Sequence, residues 1–154
     1  MTRRQILRAP LLAALLMLAG FAAAPPYAHT ASRESRKLHT PPPGSQERRA
    51  ILDAMRLKIK ELHGLDVVFV VKEMHVSGGW AWVHTMPRSK DGYSSYEDFY
   101  ALLRNVNARW RIAEIPCTEP ENPECIDSPG YFKRLARRFP GVPASIFREC
   151  ASDR

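Results

Sequence analysis

The chain lacks the short motifs that identify the common enzyme classes. It has no Gly-x-Ser-x-Gly, no phosphate-binding glycine loop, no His-Glu-x-x-His and no Cys-x-x-Cys. These absences exclude the usual serine-hydrolase, nucleotide-binding, zinc-protease and thioredoxin-like sites. No motif indicates a cofactor. The sequence thus favours a protein that binds a partner over one that catalyses a reaction.

Basic charge is scarce in the part of the chain that is expected to fold. The formal net charge is +7, but residues 1–39 hold six basic residues and one acidic residue. Residues 40–154 hold 17 basic and 15 acidic residues. Because a nucleic-acid partner requires basic charge on the folded surface, no such partner is expected.

Long hydrophobic runs are almost missing too. Residues 11–24 are apolar or small throughout, and they follow the basic start Met1–Arg8. A run of this length is short for a membrane span and typical of a secretory signal, which we assign to residues 1–28. An uncleaved anchor is the alternative. After signal removal we expect no stable membrane span and a periplasmic or secreted protein.

Cysteine is limited to Cys117, Cys125 and Cys150. An oxidising compartment favours pairing, and the short spacing makes Cys117 and Cys125 the expected disulfide. Cys150 is then free, pairs between chains, or displaces one partner of that bridge. The loop inside the bridge carries three glutamates, so it is a solvated loop, an acidic plug for a basic pocket, or a weak calcium site.

A tether and an amphipathic helix precede the strands. Residues 29–44 are rich in Ser, Thr and Pro and predict a disordered linker. Ser45 suits the N-cap of a helix over residues 46–62, and Gly64 suits its C-terminal cap. Four apolar residues recur along this helix at helical spacing: Ile51, Met55, Ile59 and Leu62.

Residues 67–86 predict a β-hairpin that turns at Gly78-Gly79. β-Branched and aromatic residues crowd both arms, and paired glycines accept the positive φ of a two-residue turn. Facing residue numbers then sum to 157, which places Glu73 opposite His84. Alternation assigns an aliphatic face to the helix: Val68, Val70, Met74, Val76, Ala81 and Val83. The opposite face carries Phe69, Val71, Glu73, His75, Trp80, Trp82 and His84.

Two further strands and a closing helix follow. Strands are predicted over residues 96–104 and 109–115, with a hairpin loop between them. A helix is the competing interpretation of residues 96–104, because their sequence also has helical propensity. A helix is predicted over residues 130–139, preceded by Ser128 as its N-cap and by Pro129, a residue favoured in the first helical position. The fold class is therefore α+β: an N-terminal helix packed on a four-stranded antiparallel curved sheet, closed by a C-terminal helix, in one domain over residues 45–150.

Several motifs carry a resemblance to known proteins: Phe69-Val70-Val71, the stretch Val76–Val83 and the stretch Arg109–Ile115. With the element order, they resemble the cystatin-like architecture of the nuclear-transport-factor-like proteins. More closely, they resemble small exported bacterial proteins of uncharacterised role. The resemblance implies a fold and an exported location, and no catalytic residues. The loop between Cys117 and Cys125 departs from that pattern.

Aromatic side chains make the first candidate surface. Trp80, Trp82 and Trp110, with Tyr96 and Tyr100, suit stacking of a sugar, a peptide or another protein. The alternative is a second small core, in which the last helix covers these rings with its apolar face: Phe132, Leu135 and Phe139.

Glu73, His75 and His84 make the second candidate, on one face of the hairpin. Two imidazoles and a carboxylate can hold zinc or iron or act as an acid/base pair. The simpler alternative is a cross-strand ion pair between Glu73 and His84.

The sequence predicts an exported, non-enzymatic binding protein, inhibitor-like or immunity-like, with a protein or cell-envelope partner. It binds that partner through the aromatic face and the disulfide loop. Neither a metal nor a cofactor is assigned. The expected binding residues are Glu73, His75, Trp80, Trp82, His84 and Trp110. The alternative function is a small metal-dependent or acid/base hydrolase built on Glu73, His75 and His84.

Overall fold

The computed structural model describes residues 37–119 and 121–147. The expected signal, the first part of the expected linker and Cys150 lie outside these residues. The described elements, in chain order, are α1 (Gln46–His63), β1 (Val67–Ser77), β2 (Trp80–Ser89), β3 (Phe99–Val106), β4 (Arg109–Glu114), α2 (Tyr131–Arg138) and a 3-10 helix (Ala144–Phe147).

The four strands form one antiparallel sheet in the order β1-β2-β3-β4. The sheet is open, with β1 and β4 at its edges. An α+β fold with one helix before the sheet and one after it is therefore confirmed. No helix in the described ranges is both long enough and apolar enough to cross a bilayer.

Local sequence accounts for the bounds of α1. The Ser45 hydroxyl accepts the Arg48 N–H at 3.2 Å, and Gly64, at φ 71°, donates its N–H to the Lys60 carbonyl. These contacts satisfy backbone groups that a helix end leaves unpaired. Ile51 and Met55 are fully buried, whereas Leu62 is half exposed.

The hairpin register is confirmed close to its turn. Gly78 and Gly79 have φ values of 59° and 77°, and Glu73 lies opposite His84. The β3–β4 turn uses Asn107 and Ala108, also at positive φ, where a hairpin loop is predicted. β3 begins at Phe99, three residues later than predicted.

A β-bulge at Lys72 changes the faces of β1. The pairing shifts between Val71 and Glu73, and one extra residue reverses the alternation of side chains. The predicted helix-facing positions Val68 and Val70 are therefore wrong: they lie on the other face, 43% and 37% exposed. Phe69 and Val71 lie on the side of α1 instead, where they are partly buried and pack against the core.

Helical layers cover both faces of the sheet. We call the face that packs against α1 the α1 face. Its buried sheet residues are Met74, Val76, Ala81, Val83, Ala101 and Leu103. The opposite face, the tryptophan face, carries Trp80, Trp82 and Leu102. It packs against the C-terminal layer, whose buried members are Ile126, Tyr131, Leu135, Ile146 and Phe147. The second small core is thus the alternative that the structure shows.

The start of α2 differs from the prediction. The residue before its first turn is Gly130 at φ 73°, with no side-chain cap. Ser128 does not cap the helix, because its hydroxyl donates to the Cys125 carbonyl at 2.7 Å. Arg134 ties α2 to this loop by donating to the carbonyls of Pro129, at 2.8 Å, and Pro123.

Residues 37–44 belong to the fold, although the sequence predicts a disordered linker there. His39 and Val76 exchange two backbone hydrogen bonds, of 3.0 and 2.8 Å. The Thr40 hydroxyl donates to the Met74 carbonyl, and Pro41 is fully buried. This segment, the N-terminal strap, gives backbone partners to the second half of β1, which is why it is held.

Candidate functional site

The predicted aromatic surface is covered. Trp80 is 5% exposed and Trp82 is fully buried. The Trp82 ring packs edge-on against Phe132 at 5.4 Å and Phe147 at 5.5 Å between centroids. These two tryptophans therefore build the core, and a ligand reaches neither ring without displacing the C-terminal layer.

Trp110 is separate from the other two tryptophans. It is half-buried on β4, and it lines a depression beside the N-terminal strap together with His39 and Glu47. The His39 imidazole and the Glu47 carboxylate are 2.8 Å apart. Burial lowers the pKa of His39, but the hydrogen bonds to Glu47 and the Lys37 carbonyl, with the Glu47 charge, raise it overall above its usual value.

His75 lies under the C-terminal layer, 9% exposed. Its Nδ1 donates to the Ile146 carbonyl oxygen at 3.1 Å, a bond that ties β1 to the 3-10 helix. His75 thus has a structural contact in the position that the sequence assigned to a binding group.

His84 is held by two neighbours. Its Nε2 donates to an Asp98 carboxylate oxygen at 2.7 Å, and its ring stacks on Tyr100 at 4.1 Å between centroids. The His84 side chain is 16% exposed and that of Asp98 is 42% exposed. Asp98 was missed because the sequence predicts a continuous strand through it, whereas β3 begins one residue later.

The metal alternative loses geometric support. Within residues 37–119 and 121–147, no three His, Cys, Asp or Glu side chains are grouped so that they could hold a metal ion. Glu73 and His84 do face each other across the hairpin, as the register predicts. His75, however, is engaged by the 3-10 helix.

The predicted disulfide is confirmed: the sulfurs of Cys117 and Cys125 are 2.02 Å apart. The Ile126 N–H also donates to the Cys117 carbonyl at 3.0 Å, which closes the loop on the backbone. Cys125 is fully buried and Ile126 nearly so, whereas Cys117 is exposed. The bridge therefore anchors the C-terminal layer to the end of β4.

A cleft of about 540 Å³ opens at this end of the sheet. The end of α1, the start of β1, the segment before β3 and the chain after β4 form its walls. Most of its lining is apolar or aromatic, and the main contributors are Leu62, Leu65, Val67, Tyr96, Phe99 and Ile115. We call it the disulfide-end cleft, because Cys117 lies in its wall.

The rim of the disulfide-end cleft is acidic. Glu97, Asp98 and Glu119 line it, and all three are exposed. Among its described lining residues there is no lysine and no arginine, and His63 is the one histidine. An apolar interior with a carboxylate rim favours a group that is apolar along its length and positively charged at one end.

Two parts of the sequence-based expectation meet at this cleft. The disulfide loop contributes Cys117 and Glu119, and Asp98 links the rim to His84. Neither Trp80 nor Trp82 lines it. Comparison of the chain with models of protein families, with curated proteins and with solved structures finds no match.

Proposed function

We propose that the protein is an exported, non-enzymatic binding protein that holds a basic, apolar segment of a partner protein in the disulfide-end cleft. The observation that carries this proposal is the combination of an apolar cleft of about 540 Å³ with three exposed carboxylates on its rim. Ligand sites are commonly clefts of roughly 300–1,000 Å³ with a few placed polar groups.

The charge pattern selects the occupant. A lysine or arginine has an apolar stem and a charged head, so its stem suits the apolar wall while its head stays at the wet rim. A charge buried without a partner would be costly, and the rim avoids this by keeping the ion pair near water. A carboxylate-bearing segment would instead face like charges from Glu97, Asp98 and Glu119.

Export and fold are part of the same proposal. The basic start and the 14-residue apolar run support a secretory signal and a periplasmic or secreted location. A short loop closed by Cys117 and Cys125 is a device of exported proteins. The order of one helix followed by four antiparallel strands supports the cystatin-like, nuclear-transport-factor-like assignment. On that fold the disulfide loop is an addition that shapes one wall of the cleft.

Fluorescence anisotropy with defined peptides tests the binding proposal. The probes are labelled hexapeptides of leucine, phenylalanine and arginine, and a matched set in which glutamate replaces arginine. We expect the arginine set to bind more tightly. The double variant Glu97→Gln/Glu119→Gln should lose about five- to tenfold in affinity, since each exposed ion pair contributes up to about 1 kcal/mol.

A matched control removes the same charge elsewhere. Asp53→Asn/Glu61→Gln alters two carboxylates on the exposed side of α1 that pair with Arg56 and Lys58. This variant should bind the arginine peptides as the unchanged protein does. Equal loss in both double variants, or equal affinity for the two peptide sets, would contradict the proposal.

The acid/base hydrolase keeps one supporting observation, the hydrogen bond between His84 and Asp98. A carboxylate that orients an imidazole is a recurring arrangement for a general base. If this function holds, the rate of p-nitrophenyl ester hydrolysis should fall at least a hundredfold in His84→Gln. The rate should fall by a smaller factor in Asp98→Asn. Turnover that does not change in His84→Gln would end this alternative.

A further inference from the structure

The first half of β1 presents an unpaired backbone edge. Val76 directs its N–H and C=O away from β2, toward His39. Along an edge strand, the backbone N–H and C=O groups of every second residue point away from the neighbouring strand. The bulge at Lys72 adds one residue to β1 and so shifts this alternation by one. Before the bulge, the residues whose backbone groups point away from β2 are therefore Val67, Phe69 and Val71. No described residue forms a backbone hydrogen bond with this edge, since the N-terminal strap reaches only the second half of β1.

The two edges of the sheet are protected very differently. β4 carries exposed Arg109 and Arg111, and such charges discourage pairing with another strand. The stretch Val67–Val71 has no charge, and Val68 and Val70 are 43% and 37% exposed. An apolar edge with free backbone groups is a template for strand addition.

We propose that this edge pairs with the same edge of a second copy of the chain, with Phe69 on the twofold axis. Facing residue numbers then sum to 138, so that Val68 lies opposite the partner's Val70. Only an even sum keeps residues of the same sheet face together across the axis. In this register the outward groups of Val67, Phe69 and Val71 meet one another, and the exposed valines occupy the closer, non-hydrogen-bonded positions.

Charge complementarity supports a second copy as the occupant. The same register brings Lys72, which is exposed, beside the partner's Asp66 at both ends of the pairing, where Asp66 also pairs with Lys60 of its own chain at 2.7 Å. Near the axis, the Arg56 guanidinium lies 5.5 Å from the centre of the Phe69 ring and pairs with Asp53 at 2.6 Å. The two copies of α1 therefore bring little unpaired charge together there.

The pairing is short, which sets its strength. Five residues on each side, of which two are exposed valines, place the interface at the small end of specific protein contacts. We therefore expect a weak, reversible dimer. The bulge at Lys72 and the N-terminal strap confine the pairing to this stretch, so it closes as a dimer and does not extend into a fibre.

Sedimentation velocity at protein concentrations from 1 μM to 1 mM tests the proposal. The protein is expressed with its own signal sequence, and it carries Cys150→Ser so that no intermolecular disulfide forms. Val68→Lys/Val70→Lys should be monomeric throughout, because each new lysine faces another. Val68→Lys/Val70→Glu should dimerise, because opposite charges then face each other twice. Val106→Lys, at a 40% exposed position on β3, should dimerise as the unchanged protein does.

Directed cross-linking tests the register itself. Oxidation of a mixture of Val68→Cys and Val70→Cys chains, both carrying Cys150→Ser, should give the mixed dimer faster than either chain cross-links with itself. Facing non-hydrogen-bonded positions bring their Cβ atoms to about 4.5–5.5 Å. A monomer at 1 mM, a dimer that survives the double-lysine change, or equal cross-linking rates for the mixed pair and the two self-pairs would overturn the proposal.

Discussion

The two faces of the sheet are covered in different ways. One continuous 18-residue helix covers the α1 face, and its periodicity is visible in the sequence. Two short helices and a loop tied by Cys117 and Cys125 cover the tryptophan face. A long helix satisfies its own backbone, whereas the short pieces depend on tertiary contacts, because isolated short helices are marginal in water.

The side chains differ in the same sense. The α1 face is mostly aliphatic, and such residues pack well against a regular ridge of helix side chains. The tryptophan face contains large rings in edge-on contact, an arrangement that depends on the exact position of each partner. From this difference we expect the C-terminal layer to be more sensitive than the α1 face to the loss of a single contact.

The largest expected effect tests this sensitivity directly. Trp82→Ala should lower the free energy of unfolding by about 4–5 kcal/mol, because it removes a fully buried ring that contacts Phe132 and Phe147. Met55→Ala, also fully buried but under α1, should cost about 2–3 kcal/mol. Urea unfolding followed by far-UV circular dichroism measures both.

Leu57→Ala is the control for these two changes, since Leu57 is 71% exposed. It should change stability by less than about 0.5 kcal/mol. Tryptophan is the larger side chain, so a cost at Trp82 no greater than that at Met55 would contradict the comparison.

The disulfide gives the next effect in size. Cys117→Ala/Cys125→Ala should cost about 2–3 kcal/mol, the loop-closure entropy expected for a bridge between residues eight positions apart. Hydrogen exchange should rise at the amides of Ile126 and Leu135 and stay unchanged at Ile59 in α1. A uniform rise across both layers would show that the bridge stabilises the whole fold instead of the C-terminal layer.

The smallest effect concerns alkaline pH and Tyr131 in the C-terminal layer. Burial, with the Glu114 charge, raises the pKa of the Tyr131 phenol to about 12 from the usual 10. A raised pKa in the folded state contributes stability that is complete below pH 10 and is lost as the pH rises to about 12. Unfolding free energy measured from pH 9 to 12 should therefore fall through this window.

Tyr131→Phe is the matched variant, because it removes the titrating group and keeps the ring. Its unfolding free energy should fall less between pH 10 and 12, and its absorbance at 295 nm should lack the last phenolate step. An identical fall in both proteins would assign the alkaline loss of stability to other groups.

Local signals in the sequence predicted much of this fold correctly. Ser45 and Gly64 bound α1, Gly78-Gly79 makes the first hairpin turn, and the spacing of Cys117 and Cys125 indicates their bridge. Each of these features depends on residues close together in the chain. The bulge at Lys72 left no such signal, so alternation gave the wrong face for Val68 and Val70.

The candidate site could be predicted only in part. The sequence singled out His84 and the acidic disulfide loop, and both adjoin the disulfide-end cleft. It did not reveal Asp98 as the partner of His84, because that contact depends on where β3 begins. The covering of Trp80 and Trp82 was one of two open alternatives, since alternation shows that two rings share a face and not what packs on that face.

The sequence by itself determined the main helices and strands, the two hairpins and the bridge, because turn chemistry, helix periodicity and cysteine spacing act over a few residues. The tertiary structure alone decided which face of β1 is exposed, what covers the tryptophans, and where apolar walls and carboxylates meet. Those outcomes depend on contacts between residues far apart in the chain, such as His75 with Ile146. No local pattern specifies such a contact, because its free energy exists only once the layers have packed together.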